Sequence, residues 1–200
     1  SLLEWFSQFL DTIADELKIQ YFSEIGYDGE IMPMQNVIAK FNLKSDNRIL
    51  LCAHWDTRPR ADCDPDSSKR HLPILGANDG ASGVAVLLHI AEILHKNAPP
   101  IGVDIVLFDG EDYGYEGDHD KYLLGSKYFA RNAGKSFWQY AILLDMIGDS
   151  GLCIPKEQYS AMQFAPKIVD SLWIRAKKLG LKSFVDSIGR PVLDDHFALA

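Results

Sequence analysis

Apolar and polar positions along the chain recur with two different periods, and the points where the period changes divide it into elements. Over residues 2–17, Leu2, Leu3, Phe6, Phe9, Leu10, Ile13 and Leu17 recur at intervals of three and four, with Glu4, Asp11, Asp15 and Glu16 between them, which predicts an amphipathic helix. Residues 18–23 and 36–41 read as extended, with Gly26, Gly29 and Pro33 punctuating the link. Residues 48–54 are a nearly continuous apolar run that stops at His54-Trp55-Asp56, the pattern of a strand covered on both faces. The same pattern returns at residues 103–108, ending in Asp109-Gly110-Glu111-Asp112, and at residues 140–144, ending at Asp145. A helical pattern fills residues 84–95, and its broad apolar face, with Val86, Ile90 and Ile93 added to Val84, Leu87 and Leu88, predicts deep burial before Pro99 and Pro100 stop it. A short helix is expected from about Ser126 and a longer one over residues 165–179, where Trp173 reads as a core or edge residue. Short extended runs are expected at residues 152–154 and 183–185.

This alternation of strand and helix predicts a single α/β domain over residues 1–200, with a mostly parallel central sheet flanked by helices on both faces. Ligands of such sheets bind beyond the carboxyl ends of the strands. Those ends carry His54 and Asp56, then Asp109, Glu111 and Asp112, then Asp145. Asp79 belongs with them, because the loop Gly76-Ala77-Asn78-Asp79-Gly80-Ala81-Ser82-Gly83 surrounds it with residues small enough to let a metal or a ligand approach. Its position just ahead of a helix leaves a second reading open, that of a helix cap.

Composition narrows the function classes. The chain has 200 residues, 47% of them hydrophobic, which is enough for one sizeable core. A net charge of -8 with no basic stripe argues against nucleic acid as a partner. No apolar run approaches the length of a membrane span, and no leader pattern stands at the N-terminus. Cys52 and Cys153 read as small buried hydrophobes and Cys63 as a loop residue, with no CxxC pair. Residues 57–70 and the acidic run at residues 116–120 read as solvated loops.

Carboxylates that converge at strand ends repel one another unless a cation sits among them or protons are shared, and a divalent metal is the simplest resolution. Imidazole and carboxylate without thiolate suit zinc, with manganese or cobalt as alternatives. Glu111 beside Asp112 offers one carboxylate for a metal and one for moving a proton. Competing signatures, the G-x-S-x-G elbow, the P-loop and G-x-G-x-x-G, are absent from the sequence.

Ala53-His54-Trp55-Asp56, residues 76–83, Phe108-Asp109-Gly110-Glu111-Asp112, Leu124-Gly125-Ser126-Lys127, Leu143-Leu144-Asp145-Met146-Ile147-Gly148 and Asp194-Asp195-His196 together resemble the zinc aminopeptidase superfamily, and within it the glutaminyl-peptide cyclotransferases of bacterial type. The resemblance implies that Asp79 and Asp112 are zinc ligands, that Glu111 is the catalytic acid/base, and that Asp145 and Asp195 form a carboxylate pair lining the site. It implies peptide N-termini as substrates, with pyroglutamate and ammonia as products of an N-terminal glutamine, and a secreted or cell-envelope (periplasmic) location. The two-zinc aminopeptidases of the same superfamily use the positions of His54 and Asp145 for a second metal, so two zincs and hydrolysis are the alternative to one zinc and cyclisation. An inactive binding domain on the same scaffold is a third expectation. The family pattern continues with a further strand and a zinc-binding histidine, so the resemblance also implies that the C-terminal part of the domain lies beyond Ala200.

Overall fold

In the computed structural model, which describes residues 2–134 and 138–200, the apolar runs assemble into a five-stranded sheet. The strands are β1 (Glu16–Ile25), β2 (Ile31–Phe41), β3 (Arg48–His54), β4 (Gly102–Phe108) and β5 (Trp138–Leu143), in the order β1-β2-β4-β3-β5. β4 lies at the centre and is buried along its whole length, which accounts for its continuous apolar sequence. Its one charge, Asp104, accepts hydrogen bonds from Arg48 Nε at 3.1 Å and from the Trp138 indole N–H at 2.7 Å. A carboxylate is tolerated there because it is fully partnered.

β3 runs parallel to β4 on one side and to β5 on the other, as expected. The parallel character stops there, because β2 is antiparallel to both β4 and β1. Residues 26–30, closed by the Gly26 N–H on Glu30 O at 2.8 Å, connect β1 to β2. A link that short can join only antiparallel neighbours. The sheet is therefore mixed, and its parallel half is the one that carries the strand ends rich in acids.

Helices cover both faces. On one, Phe6 and Leu10 of α1 (Leu2–Asp11) and Val84, Leu87 and Ala91 of α2 (Ala81–Lys96) pack in a single core with the sheet. On the other, α3 (Leu124–Asn132) sets Phe129 edge-on to Phe108 at 5.5 Å, and α5 (His196–Leu199) adds Leu199. A two-stranded parallel ribbon, β6 (Ile154–Lys156) with β7 (Phe184–Ile188), sits with α4 (Pro166–Lys178), whose Trp173 donates to Val185 O and is an edge contact.

Three expectations need correction. The first helix ends at Asp11, and Leu17 lies in β1 opposite Ala39. Ten successive pairings with β2 outweigh the helical spacing of Ile13 and Leu17, a case of tertiary context overriding a local pattern. The buried stripe of α2 is narrower than its sequence indicates, since Val86 and Ile93 are exposed, facing away from the sheet. Cys153, one residue ahead of β6, is exposed, whereas Cys52 is buried in β3.

Candidate metal and acid/base site

Because β3, β4 and β5 are parallel, their carboxyl ends lie on one side, and the polar residues following each are brought together by topology. His54, the last residue of β3, is fully buried. Its Nε2 lies 2.9 Å from Asp79 Oδ1 and 3.2 Å from Asp145 Oδ1, and its Nδ1 lies 3.4 Å from Asp56 Oδ1. Burial pulls the imidazole pKa down, but hydrogen bonds to Asp145, Asp56 and Asp79 outweigh burial and hold it above the ordinary value.

Two glycines make these approaches possible. A Cβ on Gly80 would stand 2.4 Å from His54 O and 2.7 Å from its ring, so only glycine lets the Asp79 loop cross the histidine. A Cβ on Gly83 would stand 2.1 Å from Leu144 O, so the first turn of α2 can touch the chain that leaves β5 and delivers Asp145. The helix-cap reading of Asp79 is overturned: Gly80 occupies the cap position and α2 begins with no side-chain cap. The Asp79 carboxylate is instead turned toward His54 and Asp145, and it is 39% exposed, open to a ligand.

Asp56 shapes the loop after β4. Its two oxygens accept the backbone N–H groups of Glu111 at 3.0 Å and Asp112 at 3.1 Å. Consecutive acids thus leave the turn in fixed, different directions. Asp112 Oδ1 accepts from Arg58 Nη1 at 2.7 Å, while its Oδ2 is buried with no hydrogen-bond partner among the described residues. Burial and Asp79 push Asp112 up to about 6, with Arg58 opposing them. Glu111, nearly buried, is raised to about 10 by burial, with Asp194 and Asp195 adding to it. Those two residues enter from the start of α5, where Asp195 N–H donates to Asp194 Oδ1 at 2.6 Å. Burial, then Asp145, lifts Asp194 to about 7. Asp195, fully buried, is held well above the usual carboxylate range by burial and by Asp194, with the Ser126 hydroxyl opposing them.

The expected site residues therefore fall into three groups. His54, Asp79 and Asp145 offer ligand atoms within 4.8 Å of one another. Asp112 is near enough to feel Asp79 but is tied to Arg58. Glu111, Asp194 and Asp195 form a buried acidic cluster. No hydrogen bond joins Asp145 to Asp195 among the described residues, and Asp145 Oδ1 faces His54 instead. His196 lies 3.5 Å from Glu157.

Sequence reasoning missed Arg58 and Asp62. The loop of residues 57–70 is not simply solvated, for Arg58 is only 13% exposed and bonds both Asp62 and Asp112. The Arg58-to-Asp62 spacing was the only available signal. In the acidic run at residues 116–120, Asp118 accepts from Tyr27 OH at 2.8 Å. Arg60 lies 3.8 Å over the Tyr115 ring, bracing the segment that follows Asp112.

The residues present fit a divalent cation. The donor set is imidazole and carboxylate, Asp112 keeps a buried oxygen unpartnered among the described residues, and burial together with neighbouring carboxylates raises Glu111 and Asp112 toward their protonated forms, a cost that a cation would relieve. No helix among the described residues is long and apolar enough to cross a membrane.

Known proteins share this fold. The family model of Peptidase family M28 matches residues 36–199. The chain is similar to a leucine aminopeptidase precursor from Bacteroides thetaiotaomicron, at 42% identity and a TM-score of 0.93, over 98% of this chain and 70% of that one. It is equally similar to a glutaminyl cyclase of the same organism bound to N-acetylhistamine, at 42% identity and a TM-score of 0.92, again over 98% and 70% of the two chains. A glutaminyl-peptide cyclotransferase of Drosophila melanogaster is 23% identical over 161 residues, covering 68% of this chain and 42% of its own length. The chain spans less than half the length of the curated relatives it matches.

Proposed function

The chain belongs to Peptidase family M28, and from that premise we propose that it cyclises the N-terminal glutamine of a peptide to pyroglutamate with release of ammonia. The observation that carries this reading is the buried gathering of Glu111, Asp194 and Asp195 beside the strand-end site. In such a cyclisation the nucleophile is the substrate's own α-amine, so the protein has to move protons rather than activate water. Ionised once a bound cation offsets the neighbouring carboxylates, the Glu111 side chain would take a proton from the α-amine as the new C–N bond forms to the side-chain carbonyl carbon. It then gives a proton to the departing amide nitrogen, the old C–N bond breaks, and ammonia leaves. Asp56 holds Glu111 in place through its backbone N–H, and the buried Asp194 and Asp195 raise its affinity for a proton. Zinc, one per chain and held through Asp79 and Asp112, would supply Lewis-acid polarisation of the amide carbonyl.

A second reading, hydrolysis of N-terminal residues with two zincs, is supported by the His54, Asp79 and Asp145 group, whose ligand atoms lie close enough for a further ion. Mass spectrometry of a reacted glutaminyl peptide separates the two. The cyclase returns the peptide whole but lighter by one ammonia, whereas the peptidase returns it one residue shorter.

A further inference from the structure

The Arg58 guanidinium is enclosed and held on three sides. Nε and Nη2 lie 2.7 and 3.0 Å from the two oxygens of Asp62, Nη1 lies 2.7 Å from Asp112 Oδ1, and the group stacks 5.5 Å over the Tyr122 ring. Asp62 accepts in the two-point manner that fixes a guanidinium plane. Asp112 is consequently a half-used carboxylate, with Oδ1 committed to Arg58 and Oδ2 buried without a partner among the described residues.

The geometry points to Arg58 as a positioning residue that reserves Oδ1 of Asp112 and so offers a cation Oδ2 alone, with Asp62 locking the guanidinium in place. This rests on Asp112 being a zinc ligand, as proposed above. A carboxylate with both oxygens free can take two positions on a metal, while one with a single free oxygen takes one and leaves another open to substrate. Lysine cannot replace the arginine, because one ammonium on a flexible stem does not present the planar fork that spans Asp62 and reaches Asp112.

The test uses the full-length protein with cobalt(II) in place of zinc, since the visible absorption of cobalt weakens as its coordination number rises. Arg58→Gln, Arg58→Lys and Asp62→Asn are compared with wild type after circular dichroism shows each to be folded. Arg58→Gln should still bind cobalt but absorb more weakly, and its turnover of a glutaminyl peptide should fall by about 10- to 100-fold, the usual cost of losing a group that orients a ligand. Arg58→Lys should not restore the wild-type spectrum, and Asp62→Asn should shift it in the same direction by less. A wild-type spectrum and turnover in Arg58→Gln overturn the inference, as does loss of cobalt from a folded Arg58→Gln, which would make Arg58 a support of metal binding and not a limit on it. Should Arg58→Gln not fold, the milder Asp62→Asn decides by the same spectrum. A wild-type protein that takes up no cobalt or zinc would instead overturn the proposed metal role of Asp112 on which the inference stands.

Discussion

Glu111→Gln keeps the size of the side chain and the anchoring of its backbone N–H on Asp56, and removes only the ability to take and return a proton. Turnover of a glutaminyl peptide should fall by about 10² to 10⁴, the usual worth of a positioned acid/base. Stability should move the other way. Burial, reinforced by Asp194 and Asp195, raises Glu111 from 4.5 to about 10. At pH 7 the metal-free folded protein therefore keeps this carboxyl protonated while the unfolded chain ionises it. Holding the proton from 4.5 up to pH 7 costs the folded state about 3 kcal/mol. Glutamine cannot ionise and carries no such cost, so the metal-free variant should melt about 5 to 10 °C above metal-free wild type at pH 7. Ammonia release measures the first consequence and a thermal melt followed by circular dichroism the second, with elemental zinc content expected to stay unchanged. Undiminished turnover would refute the acid/base role, and loss of zinc would show that the roles of Glu111 and Asp112 are reversed.

Asp56→Ala removes the acceptor of two backbone N–H groups and should destabilise the protein by about 2 to 4 kcal/mol in urea unfolding; Asp56→Asn, which keeps one acceptor oxygen, should fall between. Gly83→Ala puts a Cβ against the Leu144 carbonyl, so α2 must retreat from β5, and weaker zinc binding together with a lower melting temperature is expected. For the metal-free protein, Asp109 and Asp194 at about 7 and Asp112 at about 6 retain protons that the unfolded chain releases near 3.8. Their contribution to stability is thus greatest below about pH 4 and is lost as the pH rises to 7. The urea midpoint should fall over that interval without zinc and fall less with it, because a cation favours the ionised carboxylates; a midpoint that rises with pH in the metal-free protein would contradict this.

The parts of the fold that could be read from the chain are those in which local pattern and burial agree. β3 and β4 are continuous apolar runs because they are covered on both faces, and their polar ends announced His54 and Glu111-Asp112. The antiparallel half was harder, because β1 is largely solvent-facing and what makes it a strand is its pairing with β2, which no local window contains. At the site, residue types indicated which side chains could meet, whereas the partner choices depend on contacts between distant loops. Arg58 reaches Asp112 across 54 positions of sequence, and Asp145 is held by His54 across 91. The capping alternative for Asp79 likewise turned on a cap position that falls at Gly80, a difference of one residue that sequence patterns do not resolve.

Cyclisation as against hydrolysis is tested most directly by incubating the full-length, zinc-loaded protein with two peptides of equal length, one beginning with glutamine and one with leucine, while counting zinc per chain in the same sample. Ammonia from the glutamine peptide, no free leucine from the other, and one zinc per chain are expected. Free leucine with two zincs per chain and no ammonia would contradict the cyclase and assign the site to an aminopeptidase.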